Sequence, residues 1–167
     1  IAAEDTRQTQ RLLSHYGITT RLISYHDFSD QSTCQRIIQR LNQGESVALV
    51  SDAGTPLISD PGYGLVTEAR SHGLKVIPIP GPSALIAALS VAGLPTDRFI
   101  FEGFLPAKAG ARDKRLMALA TEQRTMIFYE APHRINAMLE SCASHFEISR
   151  QVFFCLLYTS PSPRDGT

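Results

Sequence analysis

The sequence predicts an α/β fold: an open, mostly parallel sheet flanked by helices, followed by the start of a second α/β domain. Short apolar runs alternate with amphipathic stretches of helical spacing, and a cap or turn residue bounds almost every one. The run Ser46-Val-Ala-Leu-Val50 is apolar throughout after its serine, as a central parallel strand covered on both faces should be.

Ile1 to Ala3 reads as the end of a strand. Asp5 or Thr6 caps a helix reaching about Tyr16, with Leu12 and Leu13 apolar and Gly17 just past its end. Arg21 to Tyr25 is strand-like. Ser29 or Asp30 opens a second helix, in which Cys34, Ile37, Ile38 and Leu41 form one apolar stripe closed by Gly44. After the apolar run come a long loop, Ser51 to Pro61, a helix from about Gly62 to His72, and a strand Lys75 to Ile79 made irregular by Pro78. Pro80 to Ser83 is a tight turn before the small-residue helix Ala84 to Ala92. Leu94-Pro-Thr-Asp97 is the expected linker. Beyond it lie a strand (Phe99 to Phe104), a basic loop with Lys108, Arg112, Lys114 and Arg115, a helix to about Ala120, and the strand Thr125 to Tyr129. A helix from His133 to about His145 and a strand Gln151 to Phe154 complete the pattern. The expected domains are 1–97 and 98–154, with 155–167, a Ser/Pro-containing segment, read as a non-native tail.

Composition narrows the function classes. The 167 residues carry 16 Lys+Arg and 16 Asp+Glu, with 43% hydrophobic and 19% charged residues, which excludes a histone-like basic protein and an acidic disordered tail. The neutrality is a sum of two parts: residues 1–97 hold 7 basic and 9 acidic groups, and residues 98–154 hold 8 and 6. Three cysteines (Cys34, Cys142, Cys155) without a Cys-x-x-Cys pair signal neither a disulfide framework nor a zinc site, so no metal is expected. The sequence contains no signal pattern and no apolar run of membrane-spanning length, so a cytoplasmic protein is expected.

Ligands of open α/β sheets bind beyond the carboxyl ends of the strands, so the loops there are the candidate sites. Glu4-Asp5-Thr6-Arg7 sets two carboxylates, a hydroxyl and a guanidinium at a strand end; it reads either as a helix cap or as a functional group. Ser51-Asp-Ala-Gly-Thr-Pro-Leu-Ile-Ser-Asp-Pro-Gly62 is longer than an ordinary crossover turn and stiffened by two prolines. Pro80-Gly-Pro-Ser-Ala84 offers free amides at a helix start, as an anion site or a bare turn. Phe128-Tyr-Glu-Ala-Pro-His-Arg134 runs from a strand end into a helix, with His133 open between a capping and a chemical role. Phosphate-loop, zinc-hydrolase and esterase motifs are absent from the sequence.

Taken in order and spacing, these segments resemble the ribosomal RNA small-subunit methyltransferase I family, part of the tetrapyrrole-methylase superfamily. Ala92-Gly-Leu-Pro-Thr-Asp-Arg-Phe99 and Phe101-Glu-Gly-Phe-Leu-Pro-Ala-Lys108 belong to the same pattern, which runs from Ile1 to about Phe154. The resemblance implies transfer of a methyl group from S-adenosylmethionine to the ribose 2′-oxygen of a cytidine in the decoding region of small-subunit (16S) rRNA. It implies a tetrapyrrole-methylase-like fold with the cofactor between two α/β domains, a homodimer, and rRNA or the 30S particle as partner.

Carried over by position, Ser51, Asp52, Ala53, Gly54, Thr55, Pro80, Gly81, Pro82, Ser83, Ala84 and Tyr129 are expected at the cofactor. Glu4 and Arg7 are expected near substrate, with Arg134. Asp5, Glu130 and His133 are the candidates to take the proton of the ribose hydroxyl, since they sit at strand ends. Lys108, Arg112, Lys114 and Arg115 are the expected phosphate contacts, with a solvated charged face as the alternative.

Family members begin with a further strand and a Pro-Thr-Pro-Ile-Gly-Asn-like turn and continue beyond Phe154, so the chain is expected to be a fragment with exposed sheet edges and weak or no activity. Two other readings compete: a methyltransferase of the superfamily acting on a tetrapyrrole or other small molecule, and a non-catalytic anion- or nucleotide-binding module.

Overall fold

The computed structural model describes residues 1–26 and 31–156. It divides into two compact units, Ile1–Ser83 and a second beginning at Ala84. The expected linker at Leu94–Asp97 lies one helix further along, because α4 (Ala84–Val91) falls in the second unit. Two hydrogen bonds account for that: the Leu85 amide donates to the Tyr129 hydroxyl at 3.1 Å, and Thr125 Oγ1 donates to the Pro95 carbonyl at 2.6 Å.

In the first unit β1 (Ala2–Ala3), β2 (Ile23–Ser24) and β3 (Leu49–Val50) form a parallel sheet in the order β2-β1-β3. The ladder extends beyond the strand labels, from the Ala2 amide to the Ala48 carbonyl and from the Glu4 amide to the Val50 carbonyl. β1 contributes only the small side chains of Ala2 and Ala3. Ala2 joins a core with Tyr25, Ile37, Ile38, Leu65 and Ala69, contributed on the helical side by α2 (Gln31–Asn42) and α3 (Tyr63–Ser71). Ala3 faces the other way by strand alternation and is also fully buried; α1 (Thr6–His15) buries Thr9 and Leu13. The expected opening of α2 at Ser29 or Asp30 lies outside the described residues.

In the second unit β4 (Phe99–Phe104) and β5 (Thr125–Tyr129) pair in parallel, connected through α5 (Ala109–Leu119). A 3₁₀ turn, Pro132–Arg134, leads into α6 (Ile135–His145), and Leu105, Leu116 and Met138 form the core between these elements.

Two expected strands are not formed. Lys75–Ile79 lies unpaired among the described residues, with Ile79 82% exposed; Pro78 removes a ladder donor, and no described strand lies alongside to use the others. Gln151–Phe154 is likewise unpaired, and its Val152 and Phe154 are exposed. The basic loop is also shorter than expected, since α5 begins at Ala109 and includes Arg112, Lys114 and Arg115. None of the described helices is long and apolar enough to cross a membrane.

Candidate active site

The order β2-β1-β3 makes the carboxyl ends of β1 and β3 the point where successive connections leave the sheet in opposite directions, and a crevice opens at such a point. Glu4 and Asp5 follow β1, and Ser51 and Asp52 follow β3. The two ends are bonded reciprocally: the Asp52 amide donates to Glu4 Oε2 at 3.1 Å, and the Asp5 amide donates to Asp52 Oδ1 at 3.2 Å. Each loop thus closes a backbone donor of the other with a carboxylate, which a bare crossover turn does not need.

Asp5 has a second task. Its side chain caps α1 by accepting from the Arg7 amide at 2.8 Å, and it also takes Arg7 Nε at 3.2 Å and Nη2 at 2.9 Å. Chiefly through the side-chain bond to Arg7, the Asp5 carboxyl is pulled down to about 2. The α1 cap and the amide that bonds Asp52 therefore belong to the same residue. Arg7 itself remains 88% exposed on its side chain.

The long loop after β3 holds a strained course. Gly54, Leu57, Ser59 and Gly62 all take positive φ, and for Leu57 (φ 74) and Ser59 (φ 63) that conformation is costly. Gly62 is favoured on a second ground: a Cβ there would stand 2.7 Å from Leu49 Cδ2 and 2.8 Å from Leu57 Cδ1, so these leucine side chains would have to shift. Ser51 Oγ donates to the Ala53 carbonyl at 3.1 Å, and Thr55 Oγ1 donates to the Pro82 carbonyl at 3.1 Å. Through Thr55 the Pro80-Gly-Pro-Ser83 turn is tied to the same loop. Asp52, Ala53, Gly54, Pro80, Gly81 and Pro82 are exposed, while Ser83 and Ala84 are half-buried. A Cβ on Gly54 would meet nothing within 4 Å, so the backbone there is open to an approaching molecule. The first unit therefore brings together Glu4, Asp5 and Arg7 with Ser51–Thr55 and Pro80–Ser83.

The second unit carries the remaining candidates. Tyr129 ends β5; its ring lies 4.9 Å from that of Phe101 and 5.7 Å from that of Phe104. Glu130 is withdrawn from solvent, its side chain 4% exposed; Oε1 accepts from the Ala131 amide at 2.8 Å and pairs with Arg134 Nε at 3.1 Å. Its Oε2 is buried without a hydrogen-bond partner. Arg134 turns inward, Nη2 donating to the Leu105 carbonyl at 2.7 Å, and His133 is exposed.

Arg112, expected to meet phosphate, is 8% exposed: Nε donates to Ser141 Oγ at 2.9 Å and Nη1 to the Ala107 carbonyl at 3.4 Å. The helical period explains this, because Arg112, Leu116 and Leu119 share the buried face of α5. Arg115 is paired with Glu102 at 2.5 Å, whereas Lys108 and Lys114 are exposed. Sequence reasoning also passed over Glu102 and Phe104, although a glycine inside a strand, Gly103, signals the bulge on which both depend.

Comparison with known proteins agrees with this geometry. Residues 1–158 match the family described as Tetrapyrrole (Corrin/Porphyrin) Methylases. Three similar proteins bear the name ribosomal RNA small subunit methyltransferase I. That of Xylella fastidiosa (strain Temecula1) is 61% identical over 146 residues, 87% of this chain and 54% of the relative. That of Pseudomonas aeruginosa is 60% identical over 143 residues, 86% of this chain and 50% of the relative. That of Escherichia coli O157:H7 is 53% identical over 152 residues, 91% of this chain and 53% of the relative. The chain spans about half the length of the curated relatives it matches. With two parallel α/β units, strand-end loops gathered at a switch point and a family match over nearly its whole length, the chain belongs to the tetrapyrrole (corrin/porphyrin) methylase family.

Proposed function

We propose that the chain is part of an enzyme that methylates the ribose 2′-oxygen of a cytidine in the decoding region of small-subunit (16S) rRNA, using S-adenosylmethionine in the cytoplasm. The observation that carries this reading is the pairing of the β1 and β3 loops through Glu4, Asp5 and Asp52, in a chain 53% identical or more to relatives named for small-subunit rRNA methylation.

The residues present suit S-adenosylmethionine. Glu4 and Asp52 make a carboxylate-bearing rim, Asp5 being paired with Arg7, which favours a sulfonium and an ammonium over an anionic nucleotide, and the open backbone at Gly54 admits close contact. Ser51–Thr55, the Pro80–Ala84 turn and Tyr129 are the residues that would hold it. When bound, S-adenosylmethionine supplies a methyl group activated for in-line displacement by an oxygen.

The chain's own part is alignment and proton removal. Prolines and positive-φ residues stiffen the Ser51–Gly62 loop before binding, so less ordering is left for the reaction. Of the three candidate bases, Asp5 is weakened by Arg7 and Glu130 is buried against Arg134. His133 is exposed in the 3₁₀ turn that follows β5 and is the base of this proposal. Arg7, Lys108 and Lys114 meet RNA phosphates, with Arg115 contributing from its pair with Glu102; Arg112 and Arg134 hold the second unit together instead. The partner is rRNA or the assembled 30S particle, with the whole enzyme acting as a homodimer.

The test extends the chain to the full length of its relatives and measures methyl incorporation into 16S rRNA, naked and in 30S particles, with a tetrapyrrole as parallel substrate. Incorporation at a cytidine 2′-oxygen is expected. Methylation of the tetrapyrrole alone, or cofactor binding without turnover, would replace this reading with one of its two competitors.

A further inference from the structure

Phe104, the last residue of β4, is 53% exposed and has no part in the reading above. Its orientation is the product of a backbone irregularity. The β4–β5 ladder runs residue for residue from Phe99 opposite Thr125 to Phe101 opposite Ile127; Glu102 is then skipped, so Gly103 stands opposite Phe128 and Phe104 opposite Tyr129. In a regular strand, Phe101 and Phe104 would face opposite sides, being three residues apart. The extra residue puts both rings on the side of Tyr129, at 4.9 Å and 5.7 Å, each edge to face.

Two further features fix this arrangement. Gly103 takes φ 63, which a side chain would resist, and Glu102 Oε2 accepts both Arg115 Nε at 2.9 Å and Nη2 at 2.5 Å. On its far side Tyr129 is anchored through its hydroxyl to the Leu85 amide in the first turn of α4. A bulge, an obligatory glycine and an ion pair thus combine to present a half-exposed ring at the carboxyl end of a parallel strand pair, the end from which Glu130–Arg134 departs.

We infer that Phe104 is a stacking platform for a nucleobase. The inference rests on the methyl-transfer reading, in which both cofactor and substrate carry one. A flat π-face backed by a fixed Tyr129 suits a planar base whatever its identity, since stacking does not read hydrogen-bond patterns.

The test uses the chain extended to the full length of its relatives, as wild type, Phe104→Ala, Phe104→Leu and Phe104→Tyr, titrated by calorimetry with S-adenosylhomocysteine and, separately, with a cytidine-containing single-stranded RNA oligonucleotide. Phe104→Ala and Phe104→Leu should weaken binding of one or both probes by about 5- to 100-fold, and Phe104→Tyr should keep it. Phe104→Leu retains apolar volume against Tyr129, so it serves even where the alanine variant does not fold. Weakening with S-adenosylhomocysteine assigns the platform to adenine; weakening with the oligonucleotide assigns it to an RNA base. A wild type that binds either probe, alongside a folded leucine variant that binds as tightly, overturns the platform alone. A wild type that binds neither overturns it together with the reading beneath it.

Discussion

The Asp52 amide donates to Glu4 Oε2 at 3.1 Å, and one residue along the Asp5 amide returns a bond to Asp52 Oδ1, so the ends of two neighbouring parallel strands are fastened to each other. Such a pair is tested by a double-mutant cycle. Glu4→Ala and Asp52→Ala should each weaken S-adenosylhomocysteine binding, with a coupling of about 1 kcal/mol in stability between them. Glu4→Gln keeps a carbonyl acceptor and should stay close to wild type. Strict additivity of the two alanine variants would mean that the two bonds fasten the loops independently, and no loss with either variant would mean that they do not fasten them.

The acid limb of stability should carry the signature of two surface ion pairs. Bonding to Arg7 holds Asp5 at about 2, and bonding to Arg124 holds Glu122 at about 2. Folding favours the ionised form of each, so this contribution is complete above pH ~4, the unfolded carboxyl range, and is lost as the pH falls toward 2. Asp5→Asn and Glu122→Gln should each make the loss of urea stability between those values shallower. Because both pairs lie at the surface, 1 M salt should reduce the difference. Side-chain carboxyl titration of Asp5 by NMR near its ordinary 3.8 would contradict the assignment.

Two cations two residues apart on α5 should behave in opposite ways. Arg112→Ala removes a buried guanidinium that binds Ser141 and the Ala107 carbonyl, and it should cost about 2 kcal/mol in denaturant unfolding. Lys114→Ala should leave stability within about 0.5 kcal/mol. On RNA the order reverses: Lys114→Ala should flatten the plot of log affinity against log salt by about 0.7, while any loss with Arg112→Ala tracks its loss of fold.

This contrast shows where sequence reading stops. The loops after β1 and β3 are legible as candidates, because Gly, Pro and Asp clusters at strand ends announce shaped turns and strand order then brings them together. Their reciprocal bonds are not legible, since they depend on the register of Ala2 against Leu49 across 46 intervening positions. Arg112 has the charge of a phosphate contact but the period of a core residue, and its spacing to Leu116 and Leu119 puts it on the buried face of α5. Lys75–Ile79 has the residues of a strand, but a strand is a property of its neighbour as well, and none of the described strands pairs with it.

Two glycines of one loop should separate conformational from steric cost. Gly54→Ala meets no atom within 4 Å and bears only its φ of 67, so about 1 kcal/mol is expected. Gly62→Ala adds a collision with Leu49 and Leu57 to a φ of 134, and about 3 kcal/mol is expected. Thermal or urea unfolding of both variants measures the gap, and equal losses would show that Leu49 and Leu57 move aside.

The left-handed Leu57 and Ser59 have a consequence for anyone seeking a sturdier variant. Glycine at either position would relieve a conformation that ordinary side chains resist, and at a site with no task such changes accumulate readily. Here relief would also free the segment that Pro56 and Pro61 hold stiff, trading an arrangement fixed in advance for one that ligand must impose. Directed selection for heat resistance and selection for turnover should therefore pull these two positions apart.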